Sequence, residues 1–172
     1  MLGVHVDDGV MAGSGQFYDR VCKLLRQKLH IGSEKKGQFK LLGREVIQTK
    51  ELIDVHQDEY IAEIKKIYIP AARRRAATSP LAKHELTQYK SVVQQLAWVV
   101  RSTMSIGSYD VSELQQHDAT PTVGDMIKAN TLVGRLQAWS RDGVRLKFKK
   151  FKQKRCEQQT AQTRSHQIWQ LP

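Results

Sequence analysis

The sequence predicts an α+β fold, and three observations carry that reading. Apolar residues alternate with polar ones around turn residues near the start, and the same hairpin pattern returns before residue 56. Each hairpin is followed by apolar residues at helical spacing. Beyond residue 88 the alternation disappears and helical periodicity alone runs to residue 139. With 172 residues, 40% hydrophobic and 26% charged, the chain can bury a core and is not collagenous, wholly disordered or a disulfide scaffold.

In the first hairpin Leu2, Val4 and Val6 alternate with Gly3, His5 and Asp7, Asp8-Gly9 is the predicted turn, and Val10 and Ala12 resume the pattern. Ser14 then caps a predicted helix through Phe17, Val21, Leu24, Leu25 and Leu29, which Ile31-Gly32 stops. After a polar loop over 33–37, Phe39 to Ile47 and Leu52 to Val55 read as two strands joined across Thr49-Lys50-Glu51. From Asp58 a helix is expected through Tyr60, Ile61, Ile64 and Ile67, closing before Pro70. Residues 1–70 thus form one expected unit. Residues 71–87, with Arg73-Arg74-Arg75 and Ser79-Pro80, read as a basic linker. A helical subdomain follows over 88–140, with helices from Tyr89, from Tyr109 to Gln116 and from Thr122 to Trp139, and with Trp98 and Trp139 on buried faces.

The net charge is +11, and its distribution matters more than its size. Residues 141–172 carry nine Lys+Arg against two Asp+Glu, while 1–140 carry nineteen against fifteen. This basic tail reads either as a phosphate-binding arm or as a solvated, disordered terminus; the lack of a groove-reading motif favours the second. The longest apolar run, Leu96 to Val100, is too short for a membrane span, and no signal peptide opens the chain, so the expected setting is intracellular, cytoplasmic or nuclear, with no membrane partner. Cys22 and Cys156 stand alone and read as reduced thiols. Gly13-Ser14-Gly15 completes neither a dinucleotide loop nor a P-loop, and the six histidines show no helical i, i+4 pair that would suggest zinc.

Asp7 and Asp8 are the residues with chemistry to explain. Two adjacent carboxylates repel unless a cation balances them, and magnesium takes hard oxygen ligands of this kind beside substrate phosphates. Taken alone, the dipeptide reads first as a favourable turn with a solvated strand end, and the rest of the chain shifts that balance.

The series of blocks around that pair resembles the reverse transcriptases of copia-type retrotransposons. Val4-His5-Val6-Asp7-Asp8-Gly9 is similar to their aromatic-x-Asp-Asp hairpin, and Phe17 to Leu29 to the palm helix after it. Ser33-Glu34-Lys35-Lys36-Gly37 falls where the family has a charged loop near the incoming triphosphate. Phe39-Lys40-Leu41-Leu42-Gly43-Arg44-Glu45-Val46 resembles its primer-grip hairpin, and Ile53 to Ile61 its strand and Gln-x-x-Tyr-Ile helix entry. Tyr89-Lys90-Ser91-Val92-Val93-Gln94-Gln95-Leu96-Ala97-Trp98 is similar to the family's Tyr-Arg-Ser helix, and Tyr109-Asp110-Val111-Ser112 to the helix that follows.

The resemblance spans about Leu2 to Gln137 and implies a palm fragment followed by a thumb- or connection-like helical part. It implies an RNA-directed DNA polymerase, a nucleotidyltransferase belonging to a Pol polyprotein, with Asp7 and Asp8 as catalytic magnesium ligands and Lys35 and Lys36 near the nucleotide. Leu41, Leu42, Gly43, Arg44 and Glu45 would be primer-grip-like, and the partners an RNA or DNA template-primer and deoxynucleotide triphosphates. His5, Gln94 and Met104-Ser105-Ile106-Gly107 depart from the family pattern. The family's fingers and first catalytic aspartate would lie upstream of Met1, so the expected partner list includes that missing polymerase segment, and the chain is expected to be inactive alone. Rival readings are a noncatalytic nucleic-acid-binding module using Arg73, Arg74, Arg75 and the stretch 141–155, and a decayed fragment without activity.

Overall fold

The computed structural model of the chain describes residues 2–5, 8–11, 15–29, 31 and 34–149. It is a mixed α+β structure containing a two-stranded sheet, a four-stranded antiparallel sheet and a helical core. Strands β1 (Leu2–His5) and β2 (Asp8–Met11) pair antiparallel, with His5 opposite Asp8 and Val4 opposite Gly9. Asp8-Gly9 is therefore ladder rather than turn, a correction of two residues. The strands join at 6–7, outside the described residues along with the expected cap Ser14. Helix α1 (Gly15–Lys28) follows as expected and buries Cys22, a free thiol, while Leu24 and Leu29 stay exposed.

The second hairpin is a longer meander than the sequence suggested. Phe39 to Ile47 is not one strand but two, β3 (Gln38–Leu41) and β4 (Arg44–Gln48), folded at Leu42 and Gly43. Both turn residues have positive φ, 50° and 70°, the sign pattern of a type I′ hairpin turn. Leucine is a poor left-handed residue, so the turn carries a weak sequence signal. Strand β5 (Leu52–His56) pairs with β4 as foreseen. The outer strand β6 (Leu146–Lys149) comes from the stretch read as a disordered tail, which is a second correction. Residues 150–172, the rest of that tail, lie outside the described residues.

Register places Phe39, Val46, Val55 and Leu146 in one cross-strand row and Ile47, Asp54 and Lys147 in a row on the opposite face. The first row is wholly apolar, while the opposite face carries Lys40, Glu45, Asp54, His56, Lys147 and Lys149 beside Ile47 and Leu52. None of the sheet's residues belongs to the buried cluster, which is built from helices and one irregular segment.

Helix α2 (Asp58–Glu63) stops earlier than the apolar spacing predicted. Residues 64–70 form no regular element, and α6 (Val123–Arg141) supplies backbone partners there from its side chains. Asn130 accepts from Ile67 N–H and donates to Ile67 C=O, both at 2.8 Å, and Gln137 Nε2 donates to Ile64 C=O at 3.0 Å. Ile61, Ile64, Ile67 and Ile69 then all enter the core.

The stretch read as a linker is also structured. Helix α3 (Ala71–Arg75) is a single short turn, and α4 (Lys83–Ser102) begins before residue 88. Between them Ala77 and Ser79 accept from the N–H groups of Gly124 and Val123, satisfying donors that a helix start otherwise leaves open. Thr122 and Asp125 complete the cap of α6 reciprocally. Helix α5 (Ser108–Gln116), reached through a 3₁₀ turn at Ser105–Gly107, packs on α4 and α6 around Tyr89, Leu96, Leu114, Met126, Leu132 and Leu136. Among the described residues no helix is long and apolar enough to cross a membrane.

Candidate nucleic-acid interface

Of the carboxylate pair, Asp8 opens β2 opposite His5, and Asp7 lies outside the described residues. Two adjacent carboxylates are a donor set of the hard-oxygen kind that magnesium accepts. Among the described residues no three His, Cys, Asp or Glu side chains stand together so as to hold a metal ion. Lys35 and Lys36 are exposed in the irregular segment before β3. That segment is tethered to α1 by Arg26, which donates to both carboxylate oxygens of Glu34 at 2.9 and 2.8 Å.

The residues likened to a primer grip form the most defined part of the site. Leu41 and Arg44 close the β3–β4 ladder across the turn, and Arg44 reaches α4. Its guanidinium lies 5.2 Å from the Trp98 ring centroid, and Nη2 donates to Ser102 Oγ at 3.1 Å. The turn is thereby fixed to a helix by stacking and a hydrogen bond together. Trp98 is 39% exposed, so it does not belong to the buried stripe of α4 as expected; it is the platform under Arg44. No spacing rule could show this, since the partner comes from a distant hairpin.

Glu45 points the other way, into a polar cluster on the charged face of the sheet. Its Oε2 accepts from Asp58 N–H at 3.1 Å and lies 3.0 Å from His56 Nδ1, which is 3.1 Å from Asp58 Oδ2. Ser140 Oγ donates to Asp58 at 2.6 Å. Arg145, on the approach to β6, bonds to Asp58 and sits 3.5 Å from Asp54. At the sheet's far edge Lys40 pairs with Glu59, which holds the ammonium above the ordinary lysine range. Beside the cluster Gln57 is fully buried and accepts from Thr103 Oγ1 at 3.0 Å. Sequence reading missed Arg145, His56 and Ser140 because they meet only after β6 joins the sheet.

The three consecutive arginines divide by role. Arg73 is engaged with Glu85 through Nε and Nη2 at 3.0 and 2.8 Å, and with Pro80 C=O at 2.7 Å. Arg74 Nε donates to Ile69 C=O at 3.1 Å. Arg75 is exposed at the end of α3. Two of the three thus bind the fold itself, and they do not form one open patch.

A cleft of about 260 Å³ lies between α5 and α6, floored by Leu114 and Leu132. The ion pairs Lys128–Glu113 and Arg135–Asp110 line it, so these polar groups already have partners. Comparison of the chain with protein-family models, with curated proteins and with solved structures finds no match.

Proposed function

We propose that this chain is a fragment of a copia-type RNA-directed DNA polymerase whose role is to hold a template-primer, and that it does not polymerise alone. The observation that carries this reading is the β3–β4 turn. Leu41 to Glu45 form a tight hairpin end braced against α4 by Arg44, Trp98 and Ser102, which is the mechanical property a primer-holding loop needs. Magnesium, when bound by Asp7 and Asp8, would supply charge stabilisation for phosphoryl transfer. The chain's own described residues act earlier: the braced turn positions the primer strand, and Lys35 and Lys36 lend positive charge beside it.

A template-primer with a photoreactive 3′ end tests the reading. Crosslinks should fall within Leu41 to Glu45 and diminish when Trp98→Ala removes the brace. Crosslinks confined to other parts of the chain would overturn it. A second reading, a noncatalytic nucleic-acid module, draws on the exposed basic strand β6 and predicts binding indifferent to a recessed primer end.

A further inference from the structure

Strand β6 is held to the molecule in an unusual way. It leaves α6 through Gly143, whose φ of 75° turns the chain sharply, and pairs with β5 from Val55–Leu146 to Leu52–Lys149. It contributes nothing to the buried core, and Lys147, Phe148 and Lys149 are all exposed. Lys147 and Lys149 make no ion pair among the described residues. Beyond the ladder, the attachment is Arg145, clasped by Asp54 and Asp58.

Alternation puts Arg145, Lys147 and Lys149 on one face, a row of three cations repeating at about 7 Å along the outermost strand. Phe148 stands 54% exposed on the other face, where a base could stack on it. A membrane surface would call for exposed apolar residues beside the cations; the exposed one, Phe148, lies on the opposite face, and Leu52, level with Lys149, is only partly exposed. Two carboxylates around a guanidinium are also what a phosphate would replace. When Arg145 leaves, Asp58 keeps the hydrogen bond from Ser140, whereas Asp54 has no other side-chain bond among the described residues, so Asp54 is the carboxylate left to draw Arg145 back.

Resting on the nucleic-acid reading above, we infer that β6 is a sequence-indifferent phosphate-binding strand for single-stranded nucleic acid, with Arg145 exchanging between Asp54–Asp58 and a backbone phosphate.

The test is titration of the full chain with a labelled, unstructured oligonucleotide across a salt series. Lys147→Gln with Lys149→Gln should reduce the slope of log affinity against log salt by about 1.4, at roughly 0.7 per phosphate contact on a single strand. Asp54→Asn should raise affinity severalfold and steepen the slope, and that gain should vanish in an Arg145→Gln background. An unchanged slope in the double lysine variant, or an Asp54→Asn gain that persists without Arg145, overturns the inference. Should Arg145→Gln fail to fold, amide exchange on the unmodified chain decides: oligonucleotide must alter protection in β5 and β6 but not in α4, and no change at β5 and β6 overturns it. Anionic vesicles binding more tightly than the oligonucleotide would likewise overturn the assignment to nucleic acid. If primer ends still crosslink at Leu41 to Glu45 while β6 proves irrelevant, this inference alone fails and the primer-holding reading stands.

Discussion

Glu85 serves two elements with one carboxylate. It accepts twice from Arg73 and once from Ala82 N–H at 2.8 Å, tying α3 to the first turn of α4. The Arg73 guanidinium, aided by the Ala82 bond and working against burial, holds the Glu85 carboxyl down to about 2. Because the folded value lies below the unfolded one, the stabilisation is complete above pH ~4.5 and is lost as pH falls towards 2. Glu85→Gln should cost about 2 kcal/mol in urea unfolding at pH 7, a penalty that shrinks over that acid window. Arg73→Ala should cost a similar amount, whereas Arg75→Ala should stay within about 0.5 kcal/mol. Replacing all three arginines together would therefore confound binding with stability, and Arg75 is the one suited to a binding test. Tyr89 shows the same economy in the core: fully buried, it donates to Leu114 C=O at 2.8 Å, and burial pushes its phenol up. Tyr89→Phe leaves that carbonyl unpartnered and should cost about 1–2 kcal/mol by thermal or urea unfolding.

At the scale of elements, the β3–β4 turn is the sharpest case. Gly43 has φ 70°, and a Cβ there would meet Trp98 Nε1 at an ordinary 3.9 Å, so backbone strain rather than collision sets the cost of a side chain. Gly43→Ala should lose about 1 kcal/mol of stability and shift the Trp98 indole resonance, an outcome that a thermal melt and one NMR spectrum check. This element also shows what a sequence makes legible. Helices α1, α4, α5 and α6 follow from apolar spacing because each buries, or presents, one stripe. Alternation alone hid the split of Phe39 to Ile47, because Leu-Gly is an uncommon pair for a turn with two positive φ angles, although the resemblance made Phe39 to Val46 a hairpin. Helix α2 ended early for a tertiary reason, the Asn130 and Gln137 amides, which no local pattern contains. Of the candidate interface, Leu41 to Glu45 were singled out by resemblance, and the structure places them at a hairpin turn. Their brace, Trp98, and the clasp on Arg145 were not, since both join residues more than fifty positions apart.

The whole molecule separates its hydrophobic stability from its charged sheet. The buried cluster draws on residues from Ile61 to Leu136, while the four-stranded sheet stands outside it and bears the turn at 41–45 and the basic edge. Ending the chain at residue 142 should therefore leave the helical core folded, with amide protection in α4 and α6 retained and that in β5 reduced. Chemistry is a different matter. Two-metal phosphoryl transfer needs carboxylates from more than one strand, so that both ions have fixed places and the attacking oxygen meets the phosphorus in line. Asp7 and Asp8 belong to one hairpin, and among the described residues no third strand pairs with β1 or β2. The acids on the other sheet do not replace a third carboxylate, for Glu45, Asp54 and Asp58 are committed to His56, Ser140 and Arg145. Water and substrate phosphate can fill coordination positions but cannot fix a second ion, and catalysis by charge stabilisation depends on that fixed arrangement. On the reading proposed above, residues 1–172 should thus bind a template-primer yet show no template-dependent extension with magnesium and all four deoxynucleotides. On the same reading, adding a polymerase segment that carries a further strand aspartate, fused or in trans, should be required for extension, and Asp7→Asn should then abolish it. Extension by the chain alone, lost on Asp7→Asn, would mean that one of the acids assigned here to the sheet reaches the hairpin and completes the site.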